Sequence, residues 1–126
     1  MIVDTDILIW HMRGNTKARR AIARSGDFSI SAITYMEIVQ GVRNKKELRA
    51  LRQFLQTRGV HCIPVDPDIT CRAIFLLEEY SLSHGMEMGD ALIAATAENH
   101  GATLYTANAS HYEMVPNLSV KVFRPA

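Results

Sequence analysis

The sequence predicts an α/β fold, a three-layer α/β/α sandwich around a mostly parallel sheet of four to five strands. Three observations predict it. Short apolar, strand-like runs are well spaced along the chain, helical patterns fill the gaps between them, and the runs are apolar on both faces. Strands covered by helices on both sides read in this way.

The strand signals are Met1 to Val3, Phe28 to Ser31, His61 to Val65, Ala102 to Tyr105 and Ser119 to Phe123. The first is followed by Asp4-Thr5-Asp6 and then by Ile7-Leu8-Ile9-Trp10, the apolar start of a helix. After the second, Thr34 and Glu37 match a capping box ahead of Ile38, Val39 and Val42. From Lys46 to Arg58, Leu48, Leu51 and Leu55 recur at spacings of 3 and 4 with Arg49, Arg52 and Gln53 between them, as in a half-buried helix. Asp66-Pro67 supplies an N-cap and a first-turn proline for a helix whose face is Ile69, Ala73, Leu76, Leu77 and Tyr80, and Gly85 stops it. The segment Asp90 to Ala97 is apolar nearly all round and ends at Asn99-His100-Gly101. It reads as a buried helix whose alanines permit close approach to the sheet.

With 126 residues, 48% of them hydrophobic, the chain is read as one domain over residues 1–126 that buries roughly two-thirds of its unfolded surface. It carries no internal repeat, low-complexity segment or linker. No window approaches the run of about 18 apolar residues that a membrane span needs, and the N-terminus has neither a basic region nor a long apolar stretch. Cys62 and Cys71 form no paired motif and no metal-ligand pattern with the histidines, so neither disulfide nor zinc site is expected. A cytoplasmic protein without a membrane partner is the reading. The net charge of +1 is unevenly spread: residues 13–58 hold 11 Lys+Arg against 3 Asp+Glu, and the remainder holds 3 against 10. Either a basic face awaits a polyanion, or these cations solvate helix surfaces.

Each acid of interest has a structural explanation and a chemical one. Asp4 ends the first strand and suits an N-cap, yet it also sits where open parallel sheets bind ligands. Asp6 reads as a supporting residue, a direct ligand or a first-turn charge. Glu37 fits the capping box, and Asp90, after Gly89, fits a cap or a partner for the helix dipole. Their conjunction favours chemistry, because a parallel fold can gather three helix-start acids at one sheet edge. Clustered carboxylates repel, and a divalent cation removes the conflict. Mg²⁺, or Mn²⁺, suits such an oxygen-only set, as one ion or two, and makes water an available nucleophile at neutral pH.

In order and spacing, Val3-Asp4-Thr5-Asp6-Ile7-Leu8, Ser31-x-x-Thr34-x-x-Glu37 with Gly41, Asp90-Ala-Leu-Ile-Ala-Ala-Thr-Ala97 and Leu104-Tyr-Thr106-Ala-Asn108 resemble PIN-domain ribonucleases. The compact size resembles the VapC toxins of bacterial toxin–antitoxin pairs. The resemblance implies a metal-binding catalytic triad of Asp4, Glu37 and Asp90, with Asp6, Thr106 and Asn108 in support. It also implies Mg²⁺ or Mn²⁺ dependence, endonucleolytic RNA cleavage, a homodimer, and inhibition by a cognate VapB-like antitoxin. Where many relatives place a fourth acid, this chain has Thr106-Ala107-Asn108, which makes a second metal weaker. Arg13, Lys17 and Arg43 are candidate phosphate contacts. His111 reads as an exposed loop residue or a proton donor, and Trp10, Tyr35, Met36 and Met114 as core or dimer packing rather than base-stacking groups.

Rival readings make specific demands. A phosphoacceptor receiver domain would use Asp66 as the phosphorylated residue, with Thr106 and Lys121, and leaves Glu37 and Asp90 without roles. A phosphohydrolase opening with Asp-x-Asp needs an acid at Ala94. A non-catalytic RNA- or protein-binding module has no use for Asp4, Glu37 and Asp90 together.

Overall fold

Ile2 and Val3 point to opposite sides of the sheet, and each enters a different core, as the two-residue period of a strand requires. In the computed structural model, which describes residues 1–125, the chain begins with β1 (Ile2–Val3), α1 (Thr5–Met12), α2 (Thr16–Arg24), β2 (Ser29–Ser31) and α3 (Ala32–Gly41). It continues through α4 (Lys45–Arg58), β3 (His61–Ile63), α5 (Pro67–His84), α6 (Met88–Asn99), β4 (Leu104–Thr106), a 3₁₀ turn (Ala109–His111) and β5 (Val120–Val122).

The five strands form one sheet in the order β3-β2-β1-β4-β5, every pairing parallel. Ile2, Leu104 and Ile63 face a core with Ile69, Leu76 and Ile93 from α5 and α6, where Tyr112 and Val115 also lie. Val3, Tyr105 and Ile30 face the other, with Ile7 and Leu8 of α1, Ile22 of α2 and Leu51 of α4. The three-layer sandwich is therefore as expected, with a sheet that is parallel throughout.

Each predicted strand is present; four are shortened within their expected bounds, and β4 starts later and runs one residue further, to Thr106; β3 stops at Ile63 because Pro64 has no N–H for the ladder. The expected face of α5 is the observed one, with Ile69, Ala73 and Leu76 buried. Its cap is as read: Asp66 accepts from Ile69 N at 2.8 Å, and Gly85 ends the helix at φ 65°, a left-handed conformation that favours glycine.

Two helix starts differ from expectation. Ser31, not Thr34, caps α3, accepting from Ile33 N at 3.0 Å. There is no capping box, because the helix starts three residues earlier and Glu37 lies in its second turn. Helix α6 begins at Met88 after the N-cap position Glu87, so Asp90 lies inside the first turn instead of capping it. Met114 packs against the α5–α6 core and Tyr35 against the other, whereas Trp10 and Met36 are exposed.

Candidate active site

From β1 the chain steps outward through β2 and β3, then returns to place β4 on the other side of β1. The order reverses between β1 and β4. In open parallel sheets a crevice forms at the carboxyl ends of the strands at such a point, and Asp4 directly follows β1 while Thr106 ends β4.

Asp4 is 5% exposed. Its Oδ1 accepts from Thr5 N at 2.8 Å as the N-cap of α1. Its Oδ2 accepts from Thr106 Oγ1 at 2.8 Å and from the Tyr112 hydroxyl at 2.9 Å. Cap and site acid are thus the same side chain: capping fixes the carboxylate at the edge.

Asp6 braces the edge across β4. Its Oδ1 accepts from Ile7 N at 2.7 Å, and its Oδ2 accepts from Ala107 N at 3.0 Å and Asn108 Nδ2 at 2.9 Å. Thr106 Oγ1 stands 3.3 Å away, but its single proton is committed to the shorter contact with Asp4. Burial, and next the neighbouring Asp4 charge, push the Asp6 carboxyl up to about 6 despite these donors.

Glu37 reaches the edge from α3. Its Oε1 accepts from Thr5 Oγ1 at 2.6 Å, and Thr5 Oγ1 lies 3.0 Å from Thr34 Oγ1. Thr5 has one proton to give, so Thr34 donates to Thr5 while Thr5 donates to Glu37. The other oxygen, Oε2, abuts α6, where a Cβ on Gly89 would stand 3.0 Å from it. Burial raises the Glu37 pKa, and the Asp4, Asp90 and Glu87 charges add to the rise while the Thr5 hydrogen bond opposes it.

Asp90 projects from the first turn of α6. Its Oδ1 lies 3.2 Å from the Tyr112 hydroxyl, and its Oδ2 lies 3.1 Å from His111 Nδ1. Burial raises its pKa, with Asp4 and Glu87 adding to the rise, while the His111 charge and the Tyr112 hydrogen bond lower it. The Tyr112 phenol is driven far upward by burial, and then by Asp4 and Asp90. It remains a neutral donor at any working pH.

Among the described residues no three acidic, imidazole or thiol side chains already stand at a common ligating spacing. The donors nevertheless suit a hard cation. All are oxygens, Asp90 Oδ2 is engaged by the half-exposed His111, and Asp6, Glu37 and Asp90 are held above their ordinary pKa by burial and by the neighbouring Asp4 charge. A divalent ion relieves that conflict. Mg²⁺ commonly keeps several waters and binds through one or two carboxylates, so it needs no ready-made cage.

Of the residues singled out in the sequence, Asp4, Asp6, Glu37, Asp90, Thr106, Asn108 and His111 come together at this edge. Arg13 and Arg43 line a groove of about 500 Å³ that Glu37 borders with Ile9, Met12 and Val42. Arg43 is occupied there by Glu47, at 3.1 and 2.7 Å. Lys17 is not brought to the groove: it lines a separate cleft between α2 and β5. Sequence reading missed Tyr112, Thr5 and Gly89. Tyr112 is a lone tyrosine in an irregular segment, and nothing in local pattern marks it; Thr5 and Gly89, flanking Asp4 and Asp90, carried a weak positional signal.

The receiver alternative is excluded. Its sheet order is 2-1-3-4-5, not the one found here; Asp66 is spent on capping α5, and Lys121 lies over the Tyr105 ring at 4.8 Å, across the sheet from the acids. Ala94, where the phosphohydrolase requires an acid, is fully buried in α6.

The family model of the PIN domain matches residues 1–115. Ribonuclease VapC10 of Mycobacterium tuberculosis is 34% identical over 122 residues, covering 94% of this chain and 90% of that protein. Ribonuclease VapC19 of the same organism is 34% identical over 122 residues, covering 93% and 95%. In a solved toxin–antitoxin complex from Klebsiella pneumoniae, one chain superposes with a TM-score of 0.78 at 31% identity, over 99% of this chain and 97% of that one. A chain of VapBC2 from Rickettsia felis, bound to a promoter DNA fragment, shares the fold at a TM-score of 0.82 and 22% identity, over 98% of each.

Proposed function

The chain belongs to the PIN-domain family, and we propose that it is a Mg²⁺- or Mn²⁺-dependent endoribonuclease, the toxin of a pair silenced by a VapB-like antitoxin. The observation that carries this reading is the gathering of Asp4, Glu37 and Asp90 at the reversal point of the sheet, coupled through Tyr112 and Thr5. The ribonuclease names of the relatives and the toxin–antitoxin complex support it. A cytoplasmic homodimer belongs to the same reading, and among the described residues no helix is long and apolar enough to cross a membrane.

In this reading Asp4, Glu37 and Asp90 would hold the ion, a first firmly and a second more weakly because Asn108 stands where a further acid would add charge. When bound, the ion supplies stabilisation of charge on the phosphodiester oxygens and a nucleophile at neutral pH. Tyr112 and Thr106 fix the Asp4 carboxylate, so its orientation does not have to be found during the reaction. Asp6, accepting from Ala107 N and Asn108 Nδ2 just beyond β4, positions that strand end. Hydrolysis adds hydroxide to phosphorus and a proton to the leaving ribose oxygen; His111, exposed beside Asp90, is placed to pass that proton or to touch a phosphate. Arg13, and Arg43 when released from Glu47, contact the RNA backbone along the groove.

The test is incubation of inhibitor-free, folded protein with end-labelled total RNA, tRNA included, in Mg²⁺, in Mn²⁺ and in chelator. Discrete new ends in metal and none in chelator are expected. Intact RNA under every metal condition refutes the reading.

A further inference from the structure

Helix α2 begins beside the end of β5, where Asn15 Nδ2 donates to Pro125 O at 3.4 Å. Between them runs a cleft of about 440 Å³. Lys17, Arg20 and Arg24 form one wall, spaced three and four residues apart on a single face of α2. Lys121 and Arg124 form the other, and the buried Tyr105 ring is the floor. All five cations are exposed, none has an acidic partner within salt-bridge distance among the described residues, and no acid lines the cleft.

We infer that this cleft is a second RNA-binding site, one that grips the phosphate backbone of a single strand outside the catalytic edge. The inference rests on the ribonuclease reading for its ligand. Five like charges around one cleft repel one another, and a polyanion removes that repulsion while releasing counterions. The two aromatic rings in the lining, Tyr105 and Phe123, are both buried, Tyr105 beneath Lys121, so no stacking platform for a base is offered; the site reads charge and not sequence. On α2 the cations span about 10 Å along the helix axis at 1.5 Å per residue, a length that suits successive phosphates better than one small anion. The cleft also leads to the catalytic edge: Tyr105 immediately precedes Thr106, and Phe123 N donates to Thr106 O at 2.7 Å. A strand held by Lys17 and Arg124 at the ends of α2 and β5 therefore leaves the cleft at the rim where Asp6 and Asn108 lie. The cleft thereby gives a role to Lys17, Arg20 and Arg24 of the basic segment from Arg13 to Arg58, which the groove beside Glu37 does not use.

The experiment measures binding of a fluorescein-labelled oligouridylate by anisotropy across a salt series, in chelator so that nothing is cut. The intact protein is compared with the combined variant Arg20→Gln, Arg24→Gln, Lys121→Gln, and with a charge-matched variant on exposed positions of α4 outside the cleft, Lys45→Gln, Lys46→Gln, Arg49→Gln. If three phosphate contacts are lost, the slope of log K against log salt shrinks by about 2, with affinity down roughly tenfold or more at low salt; the α4 variant keeps the parental slope. An unchanged slope in the cleft variant overturns the inference. So does a variant that binds oligouridylate normally but loses affinity for polyglutamate, which would make the cleft a protein-docking surface. Cleavage of total RNA is scored separately: a protein that cuts RNA with an unaltered slope retains the nuclease reading and loses the cleft, and the reverse result does the opposite.

Discussion

The Tyr112 hydroxyl donates to Asp4 Oδ2 at 2.9 Å, joining two buried residues 108 positions apart. The same oxygen stands 3.2 Å from Asp90 Oδ1, so one neutral phenol separates two acids that would otherwise face each other. Tyr112→Phe keeps the ring in the core and removes the donor. The expected loss in chelator is about 1–2 kcal/mol, typical of leaving a buried acceptor short of one hydrogen bond. Saturating Mg²⁺ should recover part of it. Thermal unfolding in the two conditions reads both numbers, and an unchanged midpoint in chelator would show that the phenol is not holding the acids apart.

Asp4→Asn and Asp90→Asn each remove one charge from the cluster while preserving shape. RNA cleavage should fall by at least about a hundredfold, the scale on which single electrostatic groups at such sites act. Circular dichroism should remain native. For Asp90→Asn the metal-free protein should be no less stable than the parent, because repulsion from Asp4 and Glu87 is relieved. Unimpaired cleavage by either variant removes that residue from the site.

Gly89→Ala separates stability from activity. Position 89 is helical, and alanine there is favoured over glycine by about 1 kcal/mol. The added Cβ, however, meets Glu37 Oε2 at 3.0 Å and forces that carboxylate aside. The variant should melt at or above the parental midpoint yet cut RNA more slowly, with the deficit in kcat or in metal affinity. Loss of both together, with disordered α6, would mean that the glycine serves packing alone.

Asp6 gives the metal-free protein a pH dependence of defined sign. Its carboxyl stands near 6 in the fold against an ordinary 3.8, so between those values the folded state binds more protons than the unfolded chain. Stability then falls as pH rises through that window, and Glu37 and Asp90, also raised, add in the same direction. In chelator the unfolding midpoint should drop from about pH 4 to pH 6, and Asp6→Asn should flatten the drop. Divalent metal should stabilise most at the upper end of the range.

The sequence by itself determined the layers and the participants. Short runs apolar on both faces, such as Ile2-Val3, and helical spacing at Leu48, Leu51 and Leu55 record which residues must leave water, and that requirement is local enough to read from one chain. Asp4, Glu37 and Asp90 were legible because each follows closely on a strand or opens near a helix start. What the tertiary structure decided is how those acids are held. Glu37 proved to be a second-turn residue once Ser31 took the cap, and Asp90 moved inside α6 once Glu87 did. Tyr112, unmarked in its irregular segment, became the group between two carboxylates because the return of the chain after β4 tucks it beneath the β1 edge. Lys17 parted from Arg13 for the same reason: neighbours along the chain were sent to different clefts by the turn between α1 and α2. Burial patterns are imposed residue by residue along the backbone, whereas the partner of a buried polar atom is set by whichever distant segment the packed sheet brings within hydrogen-bond reach.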